Sequence, residues 1–173
     1  RKPGDTIKVK ELTTLCCDGV LSGEKRERIE SFLVDPNTSP HDVASIVKKI
    51  LRDQRAPLLS YRLSGDFLSS ESPDAWKQYT VQLRSDFRIE FRTLRVLTRH
   101  LLRVREEPSN LMGVDAITTC IAPNLLRENE LPPVDLRREG EKVKRSKAVL
   151  EWLMDNADDV FGPIKDRPKP DLA

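Results

Sequence analysis

Apolar residues recur at helical spacing along almost the whole chain, and no stretch alternates long enough to suggest a pair of strands. Val43, Ile46, Val47, Ile50 and Leu51 fall at i, i+3, i+4, i+7 and i+8, which predicts one buried stripe on a helix. Ser39-Pro40-His41-Asp42 precedes it: Ser39 can cap free amides, Pro40 suits the first turn, and Asp42 suits the positive end of the helix dipole. Ser72-Pro73-Asp74 repeats this start signal ahead of Trp76, Tyr79, Leu83 and Phe87.

Phe91, Leu94, Leu97, Leu101 and Val104 predict a long core helix that Pro108 stops. Val114, Ile117, Cys120 and Ile121 predict a short one ending before Pro123, and Val143, Val149, Leu150, Trp152 and Leu153 a later one. An earlier, weaker helix is expected from Glu24 to Leu33. Asp35-Pro36-Asn37, Ala56-Pro57, Ser64-Gly65 and Leu131-Pro132-Pro133 read as turn-rich links. The fold class is therefore all-α, a single irregular helical bundle of about six to nine helices. Residues 1–161 are expected to form it, with 162–173 a loose polar tail because Pro168 and Pro170 cannot continue a helix.

A chain of 173 residues suits one compact domain. No apolar run approaches the length of a spanning helix, and nothing after Arg1-Lys2-Pro3-Gly4-Asp5 resembles a secretory leader. The expectation is a cytoplasmic protein that is neither transmembrane nor exported, with any membrane association arising through a longer parent protein. Thirty basic against 28 acidic residues leave too little excess for a general binder of nucleic acid. Electrostatic function must come from local arrangement.

Cys16, Cys17 and Cys120 lack the spacing of a zinc site and read as reduced thiols, so neither metal nor cofactor is expected. There is no phosphate-cradling glycine loop, no nucleophile elbow and no HExxH helix. His41 in a first helical turn and His100 beside core leucines suit a surface or a boundary better than a general base. The chain does not read as an enzyme acting on a small molecule.

Two cationic patterns stand out. Lys48 and Arg52 lie one turn apart, where like charges repel unless an anion sits between them. A solvated face crowded by Lys49, Asp53 and Arg55 is the simpler account of the spacing alone. Arg88, Arg92, Arg95, Arg99 and Arg103 follow one another at four, three, four and four residues, a stripe of guanidinium groups along one helix. It suits ordinary surface paired with Asp86 and Glu90, or an anionic membrane surface or acidic protein scaffold.

The order of motifs resembles the Rho GTPase-activating (RhoGAP) domain family. Val43 to Asp53 followed by Ala56-Pro57-Leu58-Leu59 is similar to its helix of pattern VAxLLKxxLRELPEPLL. Leu94 to Val104, Asn110-Leu111-Met112 and Ala122-Pro123-Asn124-Leu125-Leu126 are similar to LxxLxxHLxxV, NxM and PNLL downstream. The resemblance covers roughly residues 12 to 161 and implies the same all-α class. It further implies docking on a Rho-family small GTPase, with Lys48, Arg52 and Asn124 around the GTPase-facing groove. Lys48 and Asn124 would touch the partner and Arg52 would brace the finger loop.

In this family an arginine finger enters the nucleotide site and neutralises charge that spreads over the phosphate oxygens during transfer, a contribution of about 10³–10⁵ in rate. The finger loop reads GIFRVSG, whereas this chain reads Cys16-Cys17-Asp18-Gly19-Val20-Leu21-Ser22-Gly23. Anchored on Ser22-Gly23, the alignment puts Val20 in the finger position; anchored on Gly19-Val20, it deletes two residues, the arginine among them. Gln54-Arg55 replaces Leu-Pro at the end of the basic helix. The expectation is a finger-less regulatory domain that engages a Rho-family GTPase, or other signalling proteins, without efficient activation and with no catalytic residue of its own. Two alternatives stand beside it: an active GTPase activator in which Arg26, Arg28 or an arginine from the GTPase side replaces the finger, and an arginine-stripe module on anionic membrane or an acidic scaffold.

Overall fold

The computed structural model describes residues 6–17, 22–54, 57–127 and 136–163. Among them every regular element is helical, as expected. The chain divides into two compact units, residues 1–58 and residues 59–173. No helix among the described residues is long and apolar enough to cross a membrane.

The first unit holds α1 (Thr6–Cys17), α2 (Gly23–Val34) and α3 (Pro40–Asp53). Helix α3 begins where the sequence places it. The Ser39 hydroxyl accepts from the His41 amide at 3.1 Å, and the Asp42 carboxylate takes the Ser39 amide at 3.1 Å, a reciprocal capping box. Asp35 folds the preceding turn, accepting the Asn37 amide on its side chain at 2.8 Å and the Thr38 amide on its carbonyl. Ile46 and Leu51 are buried and α3 packs against α1, which buries Leu12 and Thr13. Val47, expected on the buried stripe, is instead 37% exposed, at the edge of the apolar face. Helix α2 matches the expected Glu24–Leu33 within a residue at each end and is capped by Ser22. None of its residues is buried, and Leu33 and Val34 are exposed.

The second unit holds α4 (Tyr61–Ser69), α5 (Pro73–Asp86), α6 (Arg88–Glu106), a 3-10 turn at Pro108–Asn110, α7 (Val114–Leu125), α8 (Leu136–Asp155) and α9 (Ala157–Phe161). Helix α8 is central: α4, α6, α7 and α9 all pack on it. Its Val149, Leu150, Leu153 and Met154 are buried, as are Leu94 of α6, Ile117 and Leu125 of α7, and Leu83 of α5. Trp76 stands edge-on to Trp152 at 5.7 Å, and its indole N–H donates to the Phe67 and Ser70 carbonyls at 3.1 Å. Those carbonyls belong to the end of α4, so one side chain both packs the core and closes that helix.

Two expectations in this unit are corrected. Ser64-Gly65 is no link but the middle of α4: the Ser64 hydroxyl is buried and donates to the Leu59 carbonyl at 2.8 Å, while Leu63, Phe67 and Leu68 sink into the core. Burial of those three side chains outweighs the roughly 1 kcal/mol that a helical glycine costs. Helix α7 also runs through Pro123 to Leu125, held by buried Ile121, Ala122 and Leu125 and closed by the Leu126 amide on the Ala122 carbonyl at 3.1 Å. Proline removes one amide bond there, and near a helix end that loss is small beside the burial. The expected link at Leu131-Pro132-Pro133 and residues 164–173 of the expected tail lie outside the described residues.

Candidate functional site

Of the residues assigned to a GTPase-facing groove, Lys48 and Arg52 stand on α3 of the first unit. One helical turn separates them, so both point to the same side of α3. Lys48 is half-buried and the Arg52 side chain is 63% exposed in the last turn, where its charge also favours the negative end of the dipole. Within the chain an anion reaches Arg52 and the neighbouring Lys49, not Lys48. Asp53 accepts from Arg52 Nε at 2.9 Å and from Lys49 Nζ at 2.5 Å. Those two hydrogen bonds, Lys49 first, hold the Asp53 carboxyl below the usual carboxylate range.

Asn124 belongs to α7 of the second unit. It is half-buried, and its side-chain amide donates to the Cys120 carbonyl one turn back at 3.0 Å. That bond leaves its side-chain carbonyl as an acceptor. Gln54 follows α3 as its cap, its amide on the Ile50 carbonyl at 3.2 Å. Val20, the residue assigned to the finger position, lies outside the described residues, as does Arg55. Helix α1 ends at Cys17 before that stretch and Ser22 starts α2 after it. On α2, Arg26 and Arg28 are both exposed, and Arg26 is paired to Glu30 at 2.8 Å.

The arginine stripe of α6 is not uniform. Arg88, Arg92, Arg95 and Arg103 are exposed, but Arg99 is buried and corrects the expectation of five surface guanidiniums. Its Nη2 donates to Asp158 Oδ1 at 2.6 Å and to the carbonyls of Ala157 and Gly162, which fastens α9 to α6. His41 and His100 are both exposed. Among the described residues no group of His, Cys, Asp and Glu side chains could hold a metal ion.

Two recesses mark the surface of the second unit. One, of about 560 Å³, lies where α6, α8 and α9 meet and mixes Arg99, Arg103 and Arg105 with Asp155, Asp158 and Asp159. The other, of about 460 Å³, lies between the end of α4 and the start of α8, and carries Arg137, Arg138, Lys142 and Arg145. The sequence reading did not single out that basic group. Its only signal was the flanking positive charge of the last long helix, and Arg145 is already engaged by Glu71 at 3.1 Å and by the Leu68 carbonyl.

Comparison with known proteins agrees with this fold. The RhoGAP domain profile matches residues 1–130. Rho GTPase-activating protein 24 of Rattus norvegicus is 31% identical over 157 residues, which cover 87% of this chain and 20% of that protein. Rho GTPase-activating protein 25 of Mus musculus is 27% identical over 175 residues, 97% of this chain and 25% of that protein. The chain thus spans a fifth to a quarter of the length of these relatives. Among solved structures, human Rho GTPase activating protein 15 superposes with a TM-score of 0.66 at 19% identity, over 94% of this chain and 74% of that one. The BH domain from GRAF, the GTPase regulator associated with focal adhesion kinase, superposes with a TM-score of 0.61 at 21% identity, over 94% of this chain and 98% of that one. An all-α chain with the family's basic helix, its Asn124 segment and its profile over residues 1–130 belongs to the RhoGAP domain family.

Proposed function

We propose that this chain docks on a Rho-family GTPase in the cytoplasm and accelerates GTP hydrolysis little, acting as a regulatory module and not as an efficient activator. The observation that carries this reading is in the sequence: no arginine occurs between Cys16 and Gly23, where the family's finger loop has one. Valine can neither carry charge nor donate to a phosphate oxygen, so Val20 cannot replace what the finger does in the transition state. Docking draws on other groups. Lys48 and Arg52 offer cationic donors from one side of α3, and Asn124 offers a free carbonyl acceptor. Such contacts are the same in ground state and transition state, so they give affinity without rate.

The discriminating experiment measures affinity for one Rho-family GTPase in two nucleotide states: a non-hydrolysable GTP analogue, and GDP with aluminium fluoride, which mimics the transferring phosphoryl group. A finger-less domain binds the two within a few-fold of each other. An activator binds the mimic at least about a hundredfold more tightly, as transition-state analogues do. Substituting Lys48, Arg52 or Asn124 by alanine is expected to weaken both complexes equally, by about tenfold each.

A second reading, an active GTPase activator, rests on Arg28. That side chain is exposed in the first half of α2, while Arg26 is held by Glu30. Under this reading Arg28→Ala removes any preference for the transition-state mimic; under the leading one it changes neither affinity.

A further inference from the structure

Four of the six arginines on α6 form an open cationic row. Arg88, Arg92, Arg95 and Arg103 are exposed, and none of their side chains makes an ion pair or hydrogen bond with another described residue. They span 16 residues of one helix, a row about 22 Å long. Glu90 projects from the opposite side. Glu106, one turn beyond Arg103 on the row's own side, lines with Asp155, Asp158 and Asp159 the recess that Arg103 enters, so the stretch clear of those carboxylates is Arg88, Arg92 and Arg95. Ile89 and Val96, seven residues apart and 77% and 69% exposed, lie beside the row.

Guanidinium groups left without carboxylates, next to exposed β-branched side chains, form a surface whose complement is outside the chain. Its shape narrows the choice. Arg88, Arg92 and Arg95 line neither of the two recesses described above and stand on an exposed helix face. An open row of charge matches a plane of charge. We infer that this face of α6 lies against an anionic lipid surface, with the guanidiniums of Arg88, Arg92 and Arg95 among the headgroups and Ile89 and Val96 at the level of the headgroup–acyl boundary. Membrane contact of this kind is independent of GTPase docking, because no residue assigned to the GTPase is on α6.

Sedimentation of the full chain with vesicles tests it. Phosphatidylcholine vesicles containing about one third phosphatidylserine should bind the protein, pure phosphatidylcholine vesicles should not, and raised salt should release it. Each surface arginine contributes about fivefold to such binding, so Arg88→Gln/Arg92→Gln/Arg95→Gln should weaken it by about a hundredfold. The triple variant Lys10→Gln/Arg62→Gln/Lys144→Gln removes the same charge from exposed positions elsewhere and should weaken it only a few-fold. Far-UV circular dichroism confirms that both remain helical, and affinity for a Rho-family GTPase should be unchanged by either. Absence of vesicle binding, equal loss in the two variants, or arginine-dependent retention of soluble polyglutamate without vesicle binding would each overturn the inference, the last in favour of an acidic protein surface.

Discussion

Arg99 of α6 and Asp158 of α9 are joined at 2.6 Å, and the same guanidinium nitrogen reaches the carbonyls of Ala157 and Gly162 on either side of the short helix. The two partners are unequal. Arg99 is 9% exposed, whereas the Asp158 side chain is 74% exposed. Removing the arginine therefore strips two carbonyls of a donor and leaves a void, while removing the aspartate charge only loosens a water-screened pair. Arg99→Ala is expected to cost about 2–3 kcal/mol of stability and Asp158→Asn under about 1 kcal/mol, read from denaturant midpoints. Equal losses would mean that the ion pair, and not the carbonyl contacts, holds α9.

Trp76 gives a second stability prediction. Its N–H serves two carbonyls at the end of α4 while its ring packs on Trp152. Trp76→Phe keeps most of the apolar surface and loses the donor, so a loss of about 1–3 kcal/mol is expected. Hydrogen exchange should rise first at the amides of α4, the helix whose end is released.

At the start of α3 the capping box sets where the basic helix begins. Ser39→Ala removes an acceptor for the first-turn amides and is expected to cost about 1 kcal/mol, measured by thermal or denaturant unfolding. Because α3 carries Lys48 and Arg52, this variant should also weaken GTPase binding a few-fold with no change in either side chain.

The Asp53 carboxyl is held below the usual carboxylate range by its bonds from Lys49 and Arg52. A depressed folded-state value means that these bonds support the end of α3 fully above about pH 4, the unfolded value, and fade as pH falls through the folded one. Carbon-detected NMR titration should place the Asp53 midpoint low in the native chain and move it up in Lys49→Ala. An unchanged midpoint would show that the pair does not persist in solution.

Helices α3, α5 and α6 were legible because each combines a strong apolar period with a start or stop signal in the residues themselves, and α8 was legible from its apolar residues alone. Helix α1 was not anticipated: Thr13 and Thr14 interrupt its apolar pattern, and its hold comes from packing on α3 through Leu12. Helix α4 was hidden because Ser64-Gly65 has turn chemistry locally, and burial of Leu63, Phe67 and Leu68 in the core decides its helical state. Helix α9 has five residues and depends on Arg99, fifty-eight positions upstream of Ala157, a relation that no local pattern encodes. For the same reason Arg99 looked like one more member of a surface row. At the candidate site, the one-turn spacing of Lys48 and Arg52 and the crowding of Lys49 and Asp53 beside them were readable, but the bond from Arg52 to Asp53 was not, since adjacent helical residues do not ordinarily face each other.

The central claim is that this RhoGAP domain engages a GTPase without a finger. Single-turnover GTP hydrolysis by a Rho-family GTPase, at a concentration of the chain that saturates binding, tests it most directly. The account predicts a rate within about tenfold of the GTPase alone, well short of the 10³–10⁵ that an arginine finger supplies. Acceleration beyond about a hundredfold in the native chain would contradict it.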